Sequence, residues 1–167
     1  MKKQTGLFLV VTVITVCWMF VMRPITPPNI VAFEFARTVD NAITIFMQWG
    51  ISGVEKAKMS LYFDFVFLVL YSWAISLGCK VVAQYVNIPR LAKTGALLAR
   101  VIWVAAACDF IENVSLLMAI QEMHAGLMEL AFWMAGIKFT IVGIALLFII
   151  IGTFSGLLNR FFRTREA

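Results

Sequence analysis

Residues 97–120 read LLARVIWVAAACDFIENVSLLMAI. The run is long and apolar enough to span a bilayer, whose hydrocarbon core of about 30 Å takes about 20 helical residues. Around its middle it carries Asp109, Glu112 and Asn113. Carboxylates at that depth are costly, and they mark pairing or function. Spacing of i, i+3 and i+4 puts all three on one helical face. The rest of the chain reads as scaffold and partners for that face.

Composition agrees with a membrane setting. Of 167 residues, 62% are hydrophobic and only 14% are charged, against roughly 45–50% and about 25% in soluble domains. The apolar excess comes in blocks of span length, so the expected fold is all-α: an integral membrane bundle of four transmembrane helices in a single domain over residues 1–167, with no room for a separate soluble domain. The net charge of +5 comes from basic residues beside the spans. That placement points to topology and lipid headgroups and away from nucleic acid. Cys17, Cys79 and Cys108 lie in or at the edges of spans, and His124 is the only histidine. No soft-ligand set for a metal can be assembled from them, no cofactor is implied, and the cysteines read as small apolar fillers.

Working outward, the first span covers about residues 6–22. It follows Lys2 and Lys3 and ends at Arg23 and Pro24. No small-residue cleavage pair follows it, so it reads as an uncleaved span. Asn29 can cap the next helix. Over about residues 30–49, Phe35, Val39, Ala42, Phe46 and Trp49 recur at helical steps, with Glu34, Arg37, Thr38, Asn41 and Gln48 on the other side. This predicts one amphipathic helix that lies in the interface or caps the bundle. Gly50 and Gly53 break it, and Glu55, Lys56 and Lys58 make a short solvated turn. The second span, about 61–79, carries Asp64, with Tyr71 seven residues on and on the same face. An aqueous loop with Pro89, Arg90 and Lys93 leads to the third span. The fourth, about 129–155, carries Lys138 in its first half, and its length implies tilt or protrusion. Gly152 and Gly156, a small-xxx-small pair, allow a homo-oligomer.

Lys2, Lys3, Lys80, Arg90, Lys93, Arg100, Arg160, Arg163 and Arg165 fall on one side. Arg23, Arg37, Lys56 and Lys58 fall on the other. The positive-inside rule therefore puts both termini in the cytoplasm, in a bacterial inner membrane, and the amphipathic helix outside. Counting residues along antiparallel spans brings Asp109, Glu112, Asn113 and Lys138 to similar depth, with Asp64 above them. The sequence thus predicts one buried polar site made of Asp64, Tyr71, Asp109, Glu112, Asn113 and Lys138.

Three functions suit such a layer. Lys138 paired with Asp109 or Glu112 can fix helix register, while Asn113 and Tyr71 satisfy the remaining hydrogen bonds. Uneven charge, with a surplus that protons or a cation must remove, suits binding of a lipid-like or cationic small molecule or proton-coupled transport. Tyr62, Tyr71, Trp73, Trp103 and Trp133 could supply aromatic walls for it, but for most of them ordinary span packing or interfacial anchoring is the preferred reading. A membrane enzyme using acid–base chemistry on a lipid or isoprenoid is the alternative. Against it, no aspartate-rich, histidine-box or GxSxG motif is present.

The stretches YFDFVFLVLYSWAISL, CDFIENVSLL and IKFTIVGIALL resemble a group of uncharacterised small bacterial four-span membrane proteins. That group has an aspartate and tyrosine in the second span, D-x-x-E-N in the third and a lysine in the fourth. The resemblance implies a four-span bundle but no activity. The position of Asp64 is also similar to that of an acidic residue in the membrane domain shared by sterol isomerases and the sigma-2 receptor, compact bundles with an amphiphile pocket.

Overall fold

The structure is a computed structural model that describes residues 2–85 and 89–163, with side chains through residue 156. It comprises α1 (Lys2–Met22), α2 (Ile30–Glu34), α3 (Val39–Tyr85), α4 (Pro89–Gln121) and α5 (Ala125–Arg163), and no strand occurs among the described residues. Four of these helices, all but α2, are long and apolar enough to cross a membrane. The chain is an all-α membrane bundle.

Successive long helices run antiparallel. Near the start of α1, Gln84 Nε2 of α3 donates to Gln4 Oε1. Further along, Trp18 Nε1 donates to the Phe63 carbonyl at 3.2 Å, and beyond the end of α1 Thr26 and Ser60 share a hydroxyl hydrogen bond of 3.1 Å. The tightest packing joins α3, α4 and α5. Their core combines Leu68, Ile75 and Cys79 with Ala99, Ile102, Ala105 and Ala106 and with Ala145. Lipid offers no hydrophobic drive for helix association, so small residues that let backbones approach are what hold such a bundle. Gly95 marks the closest approach. A Cβ there would lie 2.7 Å from Ala83 Cβ and 2.9 Å from the Cys79 carbonyl oxygen.

The segment between α1 and the second span departs from the expected single helix over 30–49. Arg37, at φ 58°, interrupts it after the five residues of α2, and α3 restarts at Val39. Thr38 caps that restart, its Oγ1 accepting the Asn41 backbone N–H at 3.3 Å. Asn29 precedes α2 in the left-handed conformation, at φ 59°, and its side chain makes no cap bond. The break turns Phe33, Ala36 and Ala42 inward, where they pack on Leu61, Leu116, Ala119, Met128 and Ala131. Phe33 is fully buried against Phe46 and Trp49, while Phe35 of the expected stripe stays exposed. Trp49 Nε1 donates to the Pro28 carbonyl at 2.7 Å and pins the segment down. The result is a cap over one end of the bundle.

Gly50, at φ 63° and ψ −176°, separates the cap from the rest of α3. Gly53 does not break the helix. It is buried, as are Ala57, Ser60 and Leu61 after it, so the expected turn at 55–58 is helical. The expected aqueous loop after residue 79 is likewise mostly helix: α3 runs to Tyr85, and α4 begins at Pro89. Proline suits a first helical turn, where its missing N–H would be unpaired anyway. The 39 residues of α5 extend about 58 Å at 1.5 Å per residue, well beyond one crossing.

Candidate functional site

Lys138 is the centre of the polar layer. Its position on α5 faces α4, and its Nζ donates to Asp109 Oδ1 at 2.9 Å. Glu112, one turn along α4, places Oε2 2.8 Å from the same nitrogen, as an ion-pair contact without hydrogen-bond alignment. Its Oε1 is buried with no hydrogen-bond partner. The Glu112 side chain is 0% exposed and that of Asp109 3%. Tyr71 of α3 donates its hydroxyl to Asp109 Oδ2 at 2.9 Å, so both oxygens of Asp109 are engaged. One turn nearer the cap, Asn113 Nδ2 donates to Asp64 Oδ2 at 2.7 Å.

All six residues expected from the sequence therefore meet in one layer, in two linked parts. Tyr71, Asp109, Glu112 and Lys138 form one part, and Asp64 with Asn113 the other. The spacing on α4 explains the arrangement: Asp109 and Glu112 reach α5, while Asn113, rotated by one position, reaches α3.

A seventh residue was not expected there. Glu34, at the end of α2, places Oε2 3.6 Å from Lys138 Nζ, with its side chain only 13% exposed. The sequence pattern put it on the polar outer face of a continuous helix. The break at Arg37 instead lets α2 dip toward the bundle and carry Glu34 into the layer. A signal was present: Glu34 stands alone within the apolar run IVAFEF, and Thr38 followed by Asn41 marks a new helix start. Three carboxylates, Glu34, Asp109 and Glu112, thus share the Lys138 ammonium, with Asp64 lining the same cavity, and a low-dielectric interior cannot hold such a surplus of charge without protons or another cation.

A cavity of about 420 Å³ opens beside this cluster. Its lining forms one stripe on each of three helices. Phe8, Thr12, Thr15, Val16 and Met19 come from α1; Asp64, Phe67, Tyr71, Ala74 and Ile75 from α3; Lys138, Phe139, Val142, Leu146 and Ile149 from α5. Glu34 and Asp109 complete it. Val16, Met19, Phe139 and Leu146 are exposed on the outside of the bundle, so the mouth faces sideways between α1 and α5. Thr15 follows ordinary helical habit and donates to the Val11 carbonyl at 2.8 Å. Thr12 does not, and its hydroxyl is buried without a partner.

Of the five aromatics that could have walled a site, one does. Tyr71 lines the cavity, but Tyr62, Trp73, Trp103 and Trp133 point outward and are exposed. Phenylalanines take their place, with the Phe139 ring 4.8 Å from Lys138 Nζ. Cys79 and Cys108 are free and buried, and Cys17 is exposed on α1.

No family model, curated protein or solved structure matches the chain.

Proposed function

We propose that this membrane protein binds a lipid-like, cationic small molecule in the sideways-opening cavity, and that half of its polar layer is structural. The observation that carries the reading is the pairing of a surplus of carboxylates with an apolar cavity at the same place. Lys138 and Tyr71 engage both oxygens of Asp109, Glu112 adds an ion-pair contact to Lys138, and the four tie α3, α4 and α5 together. Asp64 and Glu34 border the cavity, and neither makes an aligned hydrogen bond to Lys138. An entering cation would offset charge that the single ammonium leaves over. The apolar stripes of α1 and α5 would hold the rest of the molecule.

The cell context proposed with this reading is a bacterial inner membrane with both termini cytoplasmic. Its support is the basic set Lys2, Lys3, Lys80, Arg90 and Lys93, which lies toward the bundle end opposite the cap.

Native mass spectrometry of the full chain, released from a mild neutral detergent, tests the function. A reproducible added mass is expected on the wild type and is lost in Asp64→Asn, with thermal unfolding unchanged. The asparagine keeps an acceptor for Asn113, so the fold should persist. A bare wild-type protein that also gains no stability from any cationic amphiphile would overturn the reading and leave a structural ion cluster.

A further inference from the structure

The cavity is graded from one end to the other, and the grading describes its occupant. At the end beneath the cap stand Glu34 and Asp64, contributed by α2 and α3. At the far end stand Phe8, Ile75, Leu146 and Ile149, all apolar. The antiparallel register sets this order: Trp18 of α1 lies level with Phe63, and Phe8 packs by Gly78. A molecule with a charged head and one apolar tail matches such a gradient. Taking about 30 Å³ per water-sized unit, 420 Å³ holds roughly fourteen non-hydrogen atoms, the size of a single medium-length chain with its head.

The acceptors at the head end decide what kind of cation fits. Asp64, half-buried on the cavity wall, gives Oδ2 to Asn113. Glu34 Oε2 is buried without a hydrogen bond and lies only at ion-pair distance from Lys138. Both carboxylates line the same cavity. On the way down the cavity the Thr12 hydroxyl is buried and unpaired. Buried acceptors left without donors cost free energy, and a ligand that brings N–H groups removes that cost. A quaternary ammonium brings charge but no donor, and so leaves every one of these oxygens unsatisfied.

On these grounds, and resting on the proposed function above, we infer that the ligand is a single-chain amine whose N–H-bearing ammonium donates to Asp64 and Glu34, with its tail between α1 and α5. Glu34 is then a specificity-determining residue delivered by the cap. Lys138 stays with Asp109 and Glu112 and is not displaced.

The test uses the full chain in a neutral sugar-headed detergent and four probes of equal tail: dodecylamine, dodecyltrimethylammonium, dodecanol and dodecanoate. Binding is read by native mass spectrometry and by the shift in thermal unfolding. Dodecylamine is expected to bind at least tenfold more tightly than the trimethylated probe, and the neutral and anionic probes more weakly than both. Glu34→Gln is expected to shrink the difference between the two cations, with melting of the free protein changed little. Equal binding of the two cations would overturn the inference while leaving a cationic site in place. Equal binding of dodecanol, or no binding by any probe, would overturn both the inference and the proposed function. The wild-type comparison needs no variant, so a folding defect in Glu34→Gln could not mask the result.

Discussion

Helices α1 and α4 are both membrane-length, yet they are built on opposite plans. α4 buries twelve residues, among them Ala99, Ala105, Ala106 and Ala119 and the polar trio Asp109, Glu112 and Asn113. α1 buries two, Val11 and Thr15, and is apolar all round. One helix is held by close backbone approach and by ion pairs. The other leans on α3 through Val11, Ala74 and Leu77 and a few hydrogen bonds such as that of Trp18. The difference teaches that the bundle has a fixed frame and a loosely attached side wall. The cavity lies where frame and wall meet, which is where a molecule could enter from the bilayer without opening the frame.

The comparison breaks most readily at Lys138. Lys138→Met leaves Asp109 and Glu112 buried with no cation, a loss of about 3–5 kcal/mol for a broken buried pair. Unfolding in detergent is expected roughly 6–20 °C lower. Adding Asp109→Asn and Glu112→Gln to the same chain should recover a large part of that, because the stranded charges go with the lysine. No recovery would mean that the frame needs the charge itself.

A smaller effect separates tight packing from open space. Gly95→Val places methyl groups where a Cβ alone already meets Ala83 and the Cys79 carbonyl, an overpacking cost of about 1–3 kcal/mol. Gly136 has nothing within 4 Å of such a Cβ. Gly136→Ala should therefore be neutral or stabilising by about 0.5–1 kcal/mol through helix propensity. Parallel melting curves of the two variants check the pair, and a larger loss at Gly136 would refute the packing assigned to α5.

The smallest expected change is on the wall. Trp18→Phe removes the hydrogen bond to Phe63 and should cost about 0.6 kcal/mol, the usual scale for such a bond inside a membrane. A loss as large as that of the lysine variant would show that α1 belongs to the frame after all.

How much of this was legible in the sequence differs from residue to residue. Asp109, Glu112 and Asn113 were readable because one helical face is fixed by spacing alone, and Lys138 because a lone charge in an apolar run has few explanations. Their common depth followed from counting along antiparallel spans. Glu34 was hidden by a single torsion: a left-handed Arg37 rotates everything before it, and no hydrophobic pattern encodes that rotation. The helical stretch over 51–60 was hidden by its charges. Glu55 and Lys56 are exposed on a helix whose other face buries Gly53, Ala57 and Ser60, so a solvated turn and a half-exposed helix look alike in composition. The outward tryptophans were legible as packing or interfacial residues, but which aromatic would face the cavity was not, because an aromatic ring suits a lipid boundary as well as a pocket.

Gly50 carries one more consequence. Its torsions, φ 63° and ψ −176°, are the reflection of an ordinary extended residue, so at this one point the backbone is written in the opposite hand. No side chain crowds it; what bars an L-alanine there is handedness, not room. A D-alanine introduced by chemical ligation would sit comfortably in the same place. The attachment of the whole cap, and with it the position of Glu34, thus depends on the one amino acid that has no mirror image.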